Sequence, residues 1–151
     1  MKFKHILVTT DLSDDSRRAF AVAKHQAELE GSTVTLLHVI DDWEVPEILL
    51  KEIPNPESIT NYKEELVSNA AKELDNIASD YFPGVELKKE VIISKRPAAD
   101  EIADYVKKAD CDLIVMSSHG HGTFTTLIIG SVVQRVLKLV SCPVMVIPKN
   151  D

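Results

Sequence analysis

Gly120, Gly130 and Ser131 are the residues whose type and spacing point first to chemistry. Gly120 and Gly122 break the apolar run of residues 113–116. Gly130-Ser131 then opens a segment in which Val132, Val133, Val136, Leu137 and Val140 recur at near-helical spacing. A buried strand that ends in glycines and feeds a helix start offers free backbone N–H groups and the positive end of the helix dipole, which suits an anion. The same residues have a structural alternative: Ser131 and Gln134 form a Ser-x-x-Gln capping box that would satisfy the helix start with no ligand. Asp11 is the second group of interest, because a carboxylate opposite a phosphate loop can accept hydrogen bonds from ribose hydroxyls or hold a metal. Its structural alternative is a turn former.

The usual nucleotide signatures are absent. There is no Gly-x4-Gly-Lys-Ser/Thr loop, and residues 120–125 match only two glycines of the dinucleotide fingerprint. No lysine or arginine lies between Lys108 and Arg135. Phosphates would be held by backbone N–H groups, hydroxyls and a cation. His119 and His121 flank the loop, and neither is an evident general base.

The elements that must position these groups follow from periodicity. Residues 3–9 form a first strand, after which Ser13 caps a helix running to about residue 30, with Ala19, Phe20, Ala23, Ala27 and Leu29 inward and Gly31 as its end. Residues 33–40 form a second strand, with His38 a satisfied core residue. Residues 41–59 are irregular, with a short helix over 47–53 and packing through Trp43 and Leu49. A helix entered through Asn55-Pro56-Glu57 runs to about residue 82, with Ile59, Tyr62, Leu66, Ala70, Leu74, Ile77 and Tyr81 on one face. Residues 86–94 form a half-polar edge strand, and Pro97 opens a helix with Ala98, Ile102, Tyr105, Val106 and Ala109 inward. The strand at 113–116, the loop, the last helix and an edge strand at residues 144–147 between Pro143 and Pro148 complete the chain.

Strand and helix thus alternate, which predicts an α/β fold: an open five-stranded parallel sheet, doubly wound, in the order 3-2-1-4-5. Ligands bind such sheets at the strands' carboxyl ends where the order reverses, here between strands 1 and 4. That rule brings Asp11 and the glycine loop into one crevice from distant parts of the sequence.

The length of 151 residues fits one domain spanning 1–151. A net charge of −7 argues against a general nucleic-acid or anionic-membrane binder. No stretch approaches the roughly 20 apolar residues that span a bilayer, and the apolar run at the start is too short for a signal peptide, so the expected address is cytoplasmic. Cys111 and Cys142 form no zinc spacing and read as structural thiols without a disulfide.

The chain resembles the universal stress proteins over essentially its whole length. The resemblance rests on residues 6–13 (Ile-Leu-Val-Thr-Thr-Asp-Leu-Ser), 37–40 (Leu-His-Val-Ile), 112–120 (Asp-Leu-Ile-Val-Met-Ser-Ser-His-Gly), 130–132 (Gly-Ser-Val) and 142–147 (Cys-Pro-Val-Met-Val-Ile). ATP-binding members carry Gly-x2-Gly-x9-Gly-Ser/Thr; here the second and third glycines fall on Gly120 and Gly130, followed by Ser131. The resemblance implies a Rossmann-like fold of the adenine nucleotide alpha hydrolase type. It implies that Thr10 and Asp11 contact adenine and ribose and that Val39 and Met116 surround the base. Gly120, Gly130, Ser131 and the N–H groups of Val132 and Val133 would cradle the phosphates. His119 stands beside that cradle. Ser117 replaces the first motif glycine, Thr9 a common proline and His121 a frequent basic residue. The implied cofactor is ATP with Mg2+ or Mn2+, no side chain being assigned to the metal. The implied partners are a second copy through residues 144–147 and a protein of unknown kind. The function so implied is a nucleotide-responsive regulator in stress response with at most weak ATP hydrolysis. A slow ATP hydrolase and an interaction module of the same fold without nucleotide are the alternatives.

Overall fold

In a computed structural model, residues 1–42, 51–52, 55, 57–119 and 129–148 are described. Strand β1 is His5–Thr9, followed by a 3-10 turn Asp15–Arg17 and helix α1, Arg18–Glu30. Then come β2 Thr33–Asp41, α2 Glu57–Tyr81, β3 Leu87–Ser94, α3 Ala98–Lys108, β4 Leu113–Ser117, α4 Ser131–Leu139 and β5 Val144–Ile147. The five strands form one parallel sheet in the order β3-β2-β1-β4-β5, as the sequence predicts. The short helix expected over 47–53, with Trp43 and Leu49, lies outside the described residues.

Strand alternation divides the core in two. Ile6 pairs with Val34 and Leu113, and Val8 with Leu36 and Val115, so these six side chains share one face. They pack on Ala19, Phe20, Ala23 and Ala27 of α1 and on Leu74 and Ile77 of α2. Phe20 meets Tyr81 edge to face at 5.2 Å and Phe82 at 5.8 Å. Leu7, Leu37, Ile114 and Met116 face the other way, onto Ile102 and Val106 of α3 and Val133 and Val136 of α4. β1, flanked by a strand on each side and by helices on both faces, has Ile6, Leu7 and Val8 at 0% exposure.

Three inward assignments differ. Leu29 is exposed, because at about 100° per residue it lies on the side of α1 opposite Phe20, shortly before Gly31 closes the helix at φ 68°. Tyr62 is exposed and Ile59 only half-buried. The 25 residues of α2 span about 37 Å, whereas the eight of β3 span about 26 Å, so the first turns of α2 overhang the sheet. The start of α1 also differs: Ser13 accepts the Ser16 N–H at 3.3 Å, but a 3-10 turn intervenes before the α-helix.

Both cysteines are free, Cys111 buried and Cys142 half-buried. Burial pushes the Cys111 thiol up to about 12 and raises that of Cys142. Only the thiolate is nucleophilic. Native Cys111 is therefore expected to alkylate with iodoacetamide at pH 8 roughly three powers of ten more slowly than an ordinary thiol of pKa about 8.5, and at the ordinary rate once unfolded. Peptide mapping after timed labelling checks this; rapid native labelling would contradict the burial.

Candidate functional site

β1 ends at Thr9, and the chain beyond it is held by hydroxyls. Thr10 donates its N–H to the Leu37 carbonyl at 3.0 Å, and its own carbonyl accepts Nδ1–H of His38 at 2.8 Å. His38 is therefore satisfied, as the sequence predicts. The Leu12 N–H donates to Thr10 Oγ1 at 3.0 Å, and Ser16 Oγ donates to the Ser13 carbonyl at 2.7 Å. The Thr10–Ser16 hydroxyl contact at 2.7 Å closes the chain, with Thr10 as donor because Ser16 has spent its proton. This buried relay permits the left-handed backbone of Leu12, φ 66°. Asp11 Oδ1 accepts both the N–H and the hydroxyl of Ser13, an Asx turn.

β4 ends beside it. Ser118 donates its N–H to the Ile147 carbonyl at 2.8 Å, and its own carbonyl accepts the Gly130 N–H at 2.8 Å. That second bond ties the start of α4 to the end of β4 and closes the intervening loop. A Cβ on Gly130 would lie 3.1 Å from the Ser118 carbonyl oxygen. The Gly130 backbone, at φ −58° and ψ 153°, is open to any residue. Glycine is there for space. The Ser117 hydroxyl donates to the His119 carbonyl at 2.9 Å, so the atom that distinguishes this chain from the glycine motif tightens its own turn. Ser118 Oγ and His119 Nδ1 are 2.9 Å apart, while His119 Nε2 is buried with no hydrogen-bond partner among the described residues.

The expected capping box does not form. Gly130 is the N-cap, Ser131 is the first helical residue, and no side chain caps the helix. Gln134 instead donates Nε2–H to the Ile129 carbonyl at 2.6 Å. The physical reason is the Gly130–Ser118 bond, which holds Gly130 extended as the N-cap, so the helix starts at Ser131, one residue earlier than the pattern implies. Among the described residues, the first N–H groups of α4 thus have neither an intrahelical acceptor nor a side-chain cap.

These ends share one crevice of about 270 Å³. Thr9, Thr10, Asp11, Val39, Met116 and Ser117 line it. So do His119, Gly130, Ser131, Val132 and Val133, so every candidate among the described residues is brought together. Gly120 and His121 lie outside the described residues. Sequence reasoning missed Leu37, Ser16, Ser118 and the α3 wall formed by Ala98 and Ile102. Pro97, which starts a helix at the carboxyl end of the sheet, was the available signal for that wall. Across the rim, Arg135 of α4 holds Asp100 of α3 through two bonds of 2.8 and 2.9 Å. The Arg135 hydrogen bond keeps the Asp100 carboxyl below the usual carboxylate range. Among the described residues, no cluster of three or more His, Cys, Asp or Glu is arranged to hold a metal. Among the described residues, the arrangement offers an apolar slot, a carboxylate and the N–H groups of an uncapped helix start.

Comparison with known proteins gives a consistent result. The sequence profile of the universal stress protein family matches residues 2–148. A universal stress protein of Methanocaldococcus jannaschii is 28% identical over 158 residues, covering 99% of this chain and 97% of the relative. Its solved structure superposes with a TM-score of 0.82, covering 100% of this chain and 99% of its own. A second from that organism is 31% identical over 147 residues, covering 97% of this chain and 83% of the relative. More distant structures share the fold: a universal stress protein in complex with cAMP (17% identical, TM-score 0.64), one from Archaeoglobus fulgidus with dAMP (22%, 0.59) and one from Arabidopsis thaliana with AMP (19%, 0.59). Each covers at least 97% of this chain and 92% of its own.

Space and capping separate two neighbouring substitutions. Gly130→Ala forces its Cβ against the Ser118 carbonyl and is expected to destabilise by about 1–3 kcal/mol. Ser131→Ala removes no cap and is expected to stay within about 0.5 kcal/mol. Thermal melts of the two variants check this; equal losses would mean that Ser131 carries a capping role after all.

Proposed function

The chain belongs to the universal stress protein family, and we propose that its crevice binds an adenine nucleotide, ATP with Mg2+ or Mn2+, whose occupancy regulates what the protein contacts. The observation that carries this reading is the meeting of an uncapped helix start, a carboxylate and an apolar slot in one crevice. Relatives solved with cAMP, dAMP and AMP support the adenine class.

The residues fit such a ligand. Val39, Met116 and Ile102 offer apolar surface for the base. The polar atoms of Thr10 serve the relay and the sheet, so Thr10 meets the base through its apolar atoms. Among the described residues Asp11 is the one carboxylate lining the crevice, and it is the acceptor for ribose hydroxyls. The first N–H groups of α4 and the Ser131 hydroxyl take the phosphates, and Gly130 has no side chain to block them. When the Ser118 hydroxyl donates to His119 Nδ1, the proton sits on Nε2, and the orphaned nitrogen becomes a donor toward the ligand. A bound divalent cation would neutralise phosphate charge, held chiefly by the phosphates themselves, with Asp11 the nearby carboxylate. No lysine or arginine lines the crevice, which limits hydrolysis to slow turnover. Two free thiols fit a cytoplasmic address.

The same reading includes a single domain that dimerises through β5. The two sheet edges differ. β3 exposes Lys88, Lys89 and Glu90, charges that discourage edge pairing, whereas β5 is Val-Met-Val-Ile and half-buried throughout. Sedimentation at tens of micromolar, a concentration chosen for the test, is expected to give a dimer, and Met145→Lys is expected to shift it toward monomer. A monomeric parent would remove the dimer from this reading.

ATP with magnesium is expected to raise the melting temperature of the parent. A charge-assisted hydrogen bond contributes about 1.5–3 kcal/mol, so Ser131→Ala should weaken ATP binding by roughly one to two powers of ten. Gly130→Val, if folded, should show no ATP-dependent shift. Calorimetry checks the affinities; unchanged ATP affinity in folded Gly130→Val would return the helix start to a structural role.

A further inference from the structure

The crevice has a charge imbalance. Among the described residues it is lined by Asp11 and by no lysine or arginine. The loop between β4 and α4 adds none, since no lysine or arginine lies between Lys108 and Arg135. The whole chain carries a net charge of −7. A polyphosphate entering such a site meets donors but no fixed cation.

Arg135 is placed to supply one. It lies one helical turn after Ser131, and side chains at i and i+4 share a helix face. Long helical side chains lean toward the helix N-terminus, so the guanidinium of Arg135 covers the turn that carries Ser131. Its present partner is Asp100 on α3, held through two parallel bonds of 2.8 and 2.9 Å. Asp100 is two residues beyond Ala98, which lines the crevice. The guanidinium fork does not line the crevice itself but sits between two elements, α3 and α4, that do. A fork that fits a carboxylate in two bonds also fits a phosphate. The Arg135 side chain is 54% exposed and that of Asp100 19%, so the guanidinium can turn from its partner while staying in contact with solvent. The neighbouring Arg96 is occupied elsewhere, by Asp104 at 2.7 Å and Glu101 at 3.4 Å.

We infer that Arg135 is the phosphate-pairing cation of this crevice and that Asp100 is its resting counter-ion, displaced when a nucleotide polyphosphate binds. This rests on the nucleotide reading and deepens it: Arg135 distinguishes phosphorylated ligands from nucleosides, and Asp100 competes with phosphate for the same fork.

The test is calorimetry with ATP and with adenosine, at fixed excess magnesium, on the parent, Arg135→Ala, Asp100→Asn and the double variant, each checked for folding by its melt. Arg135→Ala is expected to weaken ATP binding roughly tenfold or more, the scale of a charge-assisted pair, with adenosine binding unchanged. Asp100→Asn is expected to strengthen ATP binding several-fold by removing the competitor, a gain that vanishes in the double variant. The opposite sign for Asp100→Asn, or equal losses for ATP and adenosine in Arg135→Ala, would reduce the pair to a tie between α3 and α4 and overturn the inference. A parent that binds adenosine and ATP alike, with Arg135→Ala unchanged, also overturns it while leaving the crevice as a nucleoside site. A parent that binds neither ligand overturns the nucleotide reading and this inference with it.

Discussion

The parallel pairing of β1 with β2 on one side and β4 on the other is the constraint from which the crevice follows. A parallel pair requires a crossover, and right-handed crossovers that leave a central strand in opposite directions place their helices on opposite faces. α1 and α2 pack on one face, α3 and α4 on the other. Where the chain leaves β1 and β4, the connections part, and a gap opens at the carboxyl ends of the two strands. Nothing about the side chains at that gap is needed to create it. Their chemistry decides only what it can hold.

Polar groups around the gap are unevenly committed. On the β1 side nearly every donor is spent internally: the Leu12 N–H on Thr10, Thr10 on Ser16, Ser16 on Ser13 and Ser13 on Asp11. Buried hydroxyls satisfied in this way stiffen the turn and fix the position of Asp11. On the β4 side the economy reverses. Ser118 gives both backbone groups to neighbours, yet among the described residues His119 Nε2 and the first N–H groups of α4 have no such partner. Donors therefore gather at one end of the crevice and a carboxylate at the other, which gives it a direction.

One short hydrogen bond holds that polarity in place. Gly130 N–H to the Ser118 carbonyl positions α4 so that its open end meets the end of β4. With a Cβ at Gly130 only 3.1 Å from that carbonyl, a larger residue would push the helix start away from the strand. The Asp100–Arg135 pair braces the same helix from the side of α3. Helix α4 is thus held from two directions although its first turn has no cap.

Strand positions, the 3-2-1-4-5 order and the meeting of Asp11 with the Ser117–Gly130 region were legible in the sequence. Apolar alternation sets which residues are buried, and crossover handedness leaves few ways to connect them. Gly31 as a left-handed helix end and His38 as a satisfied strand residue were legible because each depends on neighbours close in sequence or on a paired strand. Other features depended on distances that no local pattern encodes. Ser131 and Gln134 carry a capping pattern, yet the tie from Gly130 to Ser118 starts the helix one residue earlier and puts Ser131 inside it. Tyr62 fits an inward stripe but lies beyond the reach of the sheet. The Ala98–Ile102 wall and the Asp100–Arg135 pair exist only because α3 and α4 pack side by side, so their residues, up to 35 positions apart, meet in space and not in sequence.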